Sequence, residues 1–291
     1  MQGKLYVCAT PIGNLEDITQ RVLQTLRTVD LIAAEDTRHT KKLLNHYEIH
    51  TPLISYHQHN ERERSLELLQ MLRDGKQIAL VSDAGTPAIS DPGQILVRRC
   101  REEGLAVTAL PGACALITAL SMSGLDSRRF VFEGFLPANK KERAVVLDRL
   151  VEETRTVILY EAPHRLVETL QALYQAVGDR KAAAVRELTK KYEDIHMAPL
   201  GELCAFYGET EPKGEFVLLL EGREEAQLTQ ERQAQWETLS LTEHMAVYAH
   251  LPEKEAMKQV AKDRGVSKRD VYKRQILRSC STRRGGKRIR R

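Results

Sequence analysis

No stretch of this sequence approaches the roughly 18 uninterrupted apolar residues of a membrane-spanning helix, so a helical membrane protein is not expected. A strand pattern starts within the first residues, where a secretory signal would carry its charged and apolar regions, so no leader is read there. Cysteine is scarce and unpatterned: Cys8, Cys100, Cys114, Cys204 and Cys280 are odd in number, and none stands in a Cys-x-x-Cys spacing. That argues against a disulfide frame and a zinc set, and for reduced thiols in a cytoplasm. Cys8 and Cys114 fall in apolar stretches and read as small core residues. His57 and His59 flank Gln58, but no metal set assembles around them, and no metal is expected. The familiar site signatures are missing too: no GxGxxG with a downstream acid, no Walker loop, no GxSxG and no HExxH.

What is present is an ordinary soluble composition, 42% hydrophobic and 29% charged, in 291 residues. That length is enough for about two domains, each with its own core. The net charge of +4 conceals an asymmetry. Residues 264–291 hold 12 Lys and Arg against a single acid, Asp270, so this end carries +11 and the rest −7. A mildly acidic body with a strongly basic end points to a polyanionic partner.

Short apolar runs alternate with amphipathic segments. Strands are expected at residues 5–9, 31–34, 52–56, 78–81 and 106–110. Between them Val22, Leu23, Leu26 and Val29 recur at helical spacing behind a capping Thr19, and Leu66, Leu69 and Leu72 share one helix face. Strand and helix in alternation with short connections predict a parallel sheet with right-handed crossovers. After Gly124 the pattern loosens. A second α/β domain follows, with strands at 130–133, 156–160, 181–186, 194–197 and 216–221 and helices at 140–152, 164–176 and 202–207. The expected division is 1–124, 125–225, a helical region 226–278 and an unstructured basic tail 279–291. Residues 261–272 resemble a helix-turn-helix step in which Ser267 caps the second helix, a step that also occurs as plain helix packing. Lys268 and Arg269 stand there as candidate RNA contacts.

Five loops follow strands and carry polar or turn residues: 10–17, 35–40, 82–93, 111–115 and 161–165. In a parallel sheet the first four converge on one edge, the usual place for a ligand. The longest carries two acids, Asp83 and Asp91.

Five blocks in these regions are TPIGNLEDIT at 10–19, EDTRHT at 35–40, SDAGTPAISDPG at 82–93, YEAPHR at 160–165 and RELTK at 186–190. They resemble the signature blocks of the bacterial RsmI-type small-subunit ribosomal RNA methyltransferases, a branch of the tetrapyrrole-methylase superfamily. The resemblance covers about residues 4–222. It implies two α/β domains with S-adenosylmethionine folded between them, a homodimer, and methylation of a cytidine ribose 2′-hydroxyl in the decoding region of small-subunit rRNA. It further implies cofactor contacts from Ile12, Asp83, Ala84, Gly85, Thr86, Cys114 and Ala115, and from Glu161, Glu187 and Leu188 across the cleft. Asp91 is then expected to cap the helix begun by Pro92 and Gly93.

Porphyrin-type members open with a glycine-rich loop, where this chain has Ala9-Thr10-Pro11-Ile12-Gly13. That departure implies a differently shaped acceptor pocket. Methylation of a small tetrapyrrole-like molecule is the alternative enzyme reading, and a non-catalytic RNA-binding protein the third. The donor arrives with an activated methyl, so alignment does much of the work, and a base adds about 10²–10⁴-fold. Asp36, Glu35 and Glu16 are the candidate bases, with Arg38 and Lys190 to hold phosphate. For each acid taken singly, a helix-start carboxylate or a surface ion pair weighs more.

Overall fold

The computed structural model describes residues 3–273. The first half runs β1 (Lys4–Cys8), α1 (Gln20–Thr28), β2 (Leu31–Ala34), α2 (Thr37–His46), β3 (Leu53–Ser55), α3 (Glu61–Arg73), β4 (Gln77–Val81), α4 (Gln94–Glu102), β5 (Ala106–Leu110) and α5 (Ala115–Ser123). All pairings in its sheet are parallel, in the order β3-β2-β4-β1-β5. Buried on both faces, its strands read as apolar runs and not as alternation.

The two faces have different owners. Cys8, Ala34, Ala79 and Val81 pack with Val22, Leu23 and Leu26 of α1 and Leu44 of α2. Leu5, Ala33, Ile78 and Leu80 pack with Leu68, Leu69 and Leu72 of α3 and Leu96 of α4. The crossovers therefore go one way through α1 and α2 and return through α3 and α4. The neighbours β1 and β4 send their connections to opposite faces, which opens a crevice at their carboxyl ends. Thr19 caps α1 by accepting from the Val22 N–H at 3.2 Å, as its sequence position suggests.

The second half holds β6 (Phe130–Phe135), α6 (Lys140–Leu150), β7 (Thr156–Glu161), α7 (Pro163–Val177), β8 (Lys181–Arg186), β9 (Asp194–Pro199), α8 (Leu200–Glu209) and β10 (Phe216–Leu220). The sheet order is β6-β7-β10-β8-β9, parallel only between β6 and β7. Its centre, β10, is buried throughout. One face is covered by α7 and α8 through Leu166, Leu170, Leu173, Leu200 and Leu203. The other face receives Leu116, Ala119 and Leu120 of α5 against Ile158, Val185, Val217 and Leu219. Fully burying one such Leu is worth roughly 1.5–3 kcal/mol, so α5 ties the two sheets together. Residues 1–222 accordingly form one compact unit.

A separate unit begins at Arg223. It contains α9 (Glu225–Thr238), α10 (Leu241–Val247), α11 (Glu253–Asp263) and helical residues 268–273. Met257, Val260, Ala261 and Val271 make its small core. Gly265 turns the chain at φ +61° after α11, and the Ser267 hydroxyl accepts from the Asp270 N–H at 3.2 Å, which caps the next helix. The basic tail 279–291, with Cys280, and the last residues of the helical region expected through 278 lie outside the described residues.

Candidate active site

Short hydrogen bonds stitch the strand-end loops of the first sheet. The Thr10 N–H donates to the Gly85 carbonyl at 2.8 Å and the Gly85 N–H returns to the Thr10 carbonyl at 3.0 Å. The Thr10 hydroxyl donates to the Ser82 carbonyl and the Thr86 hydroxyl to the Ala113 carbonyl. Gly112 lies so close to the first loop that a Cβ on it would stand 2.7 Å from the Ala9 Cβ. The first loop also reaches the second half, since the Asn14 N–H donates to the Thr189 hydroxyl at 3.0 Å.

Between these loops and the second sheet lies a cleft of about 480 Å³. From the first half, Ile12, Ala84, Gly85, Thr86, Cys114 and Ala115 line it. From the second half, Glu161 and Leu188 do so, joined by Tyr160, Val185 and Val217. Eight of the ten expected cofactor contacts thus share one cavity. Cys8 is a buried core residue, and the half-buried Cys114 packs against the core between α5 and the second sheet while also lining the cleft. Asp83 and Glu187 stand just outside the lining. The Asp83 carboxylate accepts from the Asp36 N–H at 2.9 Å and so joins two loops. The Glu187 carboxylate accepts from Lys190 Nζ at 2.9 Å and from the Glu215 N–H at 3.1 Å.

Asp91 departs from its expected role. The cap of α4 is Gly93, at φ +142°, and no side chain caps that helix. A Cβ at 93 would come within 2.8 Å of Leu80 Cδ2, so only glycine makes this turn. Asp91, two residues earlier, consequently turns into the cleft lining. Burial, then the Glu35 and Asp83 carboxylates, push its carboxyl up to about 7, against the Ser82 hydroxyl bonded to it. The sequence signal was available: Asp91 sits in the longest polar loop, beside Ile89 and Ser90, which also line the cleft.

None of the three candidate bases lines the cleft. Asp36 caps α2 through the Arg38 N–H at 2.8 Å and pairs with the Arg38 guanidinium at 2.9 Å. Those two interactions hold it down at about 2, which makes it a weak proton acceptor. Glu16 is exposed in a 3-10 turn spanning Leu15–Asp17. Glu35 is raised by burial and by the Asp83 charge, but it backs Asp91 and does not line the cleft. Of the phosphate candidates, Arg38 is 89% exposed beyond its link to Asp36. Lys190 Nζ lies 2.9 Å from both Glu187 and Glu215.

Glu161 lines the cleft with its carboxylate wholly buried. That group accepts from the Ala162 N–H at 2.9 Å and the Thr169 hydroxyl at 2.6 Å, with Arg165 Nε 3.6 Å away. Tyr160, its neighbour, accepts from the Leu116 N–H at 3.2 Å, and burial pushes the phenol up to about 12. Phe132 and Phe135 both set their rings edge-on to Tyr160, with centroids 4.9 and 5.8 Å away. Regular alternation would put residues 132 and 135 on opposite faces. A register shift between Phe132 and Gly134, with Gly134 at φ +67°, brings them to the same side.

Four non-glycine residues with positive φ stand on cleft loops: Ala88 (+68°), Ser90 (+62°), Glu187 (+51°) and Thr189 (+63°). Each costs roughly 1–3 kcal/mol and persists only where its surroundings impose it, as at functional sites. Among the described residues, no group of three or more His, Cys, Asp or Glu is placed to hold a metal ion, and no helix is long and apolar enough to cross a membrane.

A family profile described as Tetrapyrrole (Corrin/Porphyrin) Methylases matches residues 4–204. The ribosomal RNA small subunit methyltransferase I of Bacillus subtilis (strain 168) is 49% identical over 272 residues, 93% of each chain. Its counterpart in a Synechocystis strain is 56% identical over 221 residues, 76% of this chain and 79% of the relative. Among solved structures, a diphthine synthase superposes with a TM-score of 0.58 at 14% identity, covering 75% of this chain and 90% of its own. A uroporphyrin-III C-methyltransferase from Thermus thermophilus, complexed with S-adenosyl homocysteine, gives 0.55 at 18%, covering 75% and 97%. At such identities the two structures share the fold alone. The likeness to the ribosomal RNA enzymes extends through both sheets and into the helical unit. The chain belongs to the tetrapyrrole methylase family and, within it, to the ribosomal RNA small subunit methyltransferase I group.

Proposed function

We propose that this protein transfers a methyl group from S-adenosylmethionine to small-subunit ribosomal RNA, at the ribose 2′-hydroxyl of a cytidine in the decoding region. The observation that carries the reading is the 49% identity across 93% of both chains to a relative named for small-subunit rRNA methylation. The cleft suits the cofactor. Its volume of about 480 Å³ lies within the roughly 300–1,000 Å³ usual for small-molecule sites. Ile12, Val185, Leu188 and Val217 offer apolar wall. Gly85, at φ +81° with Ile12 Cγ2 3.3 Å from where a Cβ would stand, lets the backbone come close.

When bound, the cofactor supplies a methyl already activated on a sulfonium. The Glu215 carboxylate on the cleft wall favours that positive charge. Asp83 and Glu187 act from behind the lining, by fixing the loops that make the pocket. On the RNA side, Arg38, Lys190, Lys268 and Arg269 serve as phosphate contacts that set register and not sequence. The active form is a homodimer working in the cytoplasm.

The test is transfer of labelled methyl from S-adenosylmethionine to assembled small subunits, run beside porphyrin precursors. Label in rRNA, mapped to a 2′-O-methylcytidine, is the expected result. Label in the porphyrin alone, or in neither, overturns the reading.

A further inference from the structure

Three carboxylates line the cleft: Asp91, Glu161 and Glu215. Glu161 is saturated by the Ala162 N–H, Thr169 and Arg165. Glu215 pairs with Lys190 at 2.9 Å. Asp91 has the neutral Ser82 hydroxyl as its hydrogen-bond partner, and the charges acting on it, Glu35 and Asp83, are of its own sign. Among the described residues it is therefore the lining acid that no cation neutralises.

Its place is built by the fold. The loop closes through the Ala88 N–H to the Pro92 carbonyl at 3.3 Å. Ala88 and Ser90 are held at positive φ, and Gly93 makes a turn at φ +142° that would strain any side chain. From the second sheet the β6 bulge presses on the same loop, the Ser90 hydroxyl lying 3.2 Å from where a Gly134 Cβ would stand. The loop is thus fixed on both sides of Asp91.

We propose that Asp91 accepts the proton of the ribose 2′-hydroxyl during methyl transfer. This rests on the methyltransferase reading above. The O–H bond breaks with its proton passing to the Asp91 carboxylate, while the 2′-oxygen forms its bond to the methyl carbon. The carbon–sulfur bond breaks with its electron pair remaining on sulfur, so the sulfonium charge and the carboxylate charge disappear together. The protonated Asp91 then returns its proton to water at the cleft mouth. The groups facing Asp91 are Ser82, Glu35 and Asp83 from the first sheet and Tyr160 from the second, with His57 acting on Glu35. A carboxyl raised to about 7 is matched to this work near neutral pH.

The experiment compares wild type with D91N and D91E. In D91N the calorimetric Kd for S-adenosylmethionine stays within about threefold, turnover on small subunits falls about 10²–10⁴-fold, and the rise of rate with pH near 7 vanishes. D91E restores part of the rate. A second readout is independent of activity. Because the folded-state carboxyl is raised, its stabilising contribution is complete below the unfolded value and lost as pH rises through about 7. The melting temperature of wild type should therefore fall relative to D91N between pH 6 and pH 8. Unchanged turnover and pH profile in D91N overturn the proposal, as does a melting difference that ignores pH. If wild type itself methylates no subunits, the functional reading fails instead, and the melting comparison still decides whether Asp91 titrates as required.

Discussion

Replacing Glu161 separates two roles that its place in the cleft wall leaves entangled. The family resemblance implies a cofactor contact, whereas the structure shows a carboxylate already engaged by its own chain. In E161A, the Ala162 N–H and the Thr169 hydroxyl, on a residue 1% exposed, are left without their acceptor. An unsatisfied buried donor costs about 1–3 kcal/mol. Arg165 is spared, since it also donates to the Leu136 carbonyl at 2.6 Å and is one-quarter exposed. The sum is about 3 kcal/mol, and at roughly 2–4 °C per kcal/mol for a unit of this size, melting should fall by about 6–12 °C. In E161Q the amide oxygen still serves Ala162 and Arg165, and the amide nitrogen can donate to the Thr169 oxygen. Only the charge assistance disappears, about 1 kcal/mol. Thermal melts and calorimetry with S-adenosylmethionine make the assay. A melt of E161A within about 2 °C of wild type would refute the buried network as a source of stability. Cofactor binding weakened more than tenfold in E161Q, with melting unchanged, would mean that the acid touches the ligand directly.

Two further outcomes concern the helical unit. Removing Lys268 and Arg269, both exposed in the first turn after Ser267, should weaken subunit binding and lower the slope of log affinity against log salt by about one for each phosphate no longer neutralised; a slope that does not move in a salt titration removes them from the RNA surface. His244 is buried, stacked on Trp236 at 4.0 Å, and accepts at Nδ1 from Arg264 Nε at 3.0 Å, so its proton sits on Nε2 toward Asp263. Burial, with Arg264, lowers its pKa from 6.5, so its contribution is complete above 6.5 and lost as pH falls through the lowered folded value. Stability measured by unfolding followed at the chain's single tryptophan should fall from pH 7 to pH 5 in wild type, and H244F should flatten that dependence; an equal fall in both would show that other groups are responsible.

Much of the architecture was legible because burial on both faces leaves a plain signature. The runs at 78–81 and 216–220 are apolar end to end, and both are central strands. The helix α1 announced itself by a capping Thr19 and a clean apolar stripe. The helix α9 falls in the region expected to be helical, but its bounds did not show: its sequence EAQLTQERQAQWET is polar nearly all round, so no period marks it. The destination of α5 was hidden for the opposite reason. A helix apolar on every side states that it is buried, but not against which sheet, and α5, although it follows the last strand of the first sheet, packs on the second.

Asp91 marks the place where local rules stop. An acid before Pro-Gly at a helix start is a sound cap by position, and what defeats it is a glycine at φ +142°. The same holds for the bulge in β6, whose consequence, two phenylalanines on one face, depends on the backbone at Gly134. Local preference and native conformation part company at Ala88, Ser90, Glu187 and Thr189, which stand on two loops facing each other across one cleft. Natural chains agree with local preference nearly everywhere and break with it where function demands it. Two sheets locked through α5 supply the burial that lets these loops hold strained positions. Strain and titration thus meet on one loop: the residues least at ease in their backbone hold the acid least able to keep its charge.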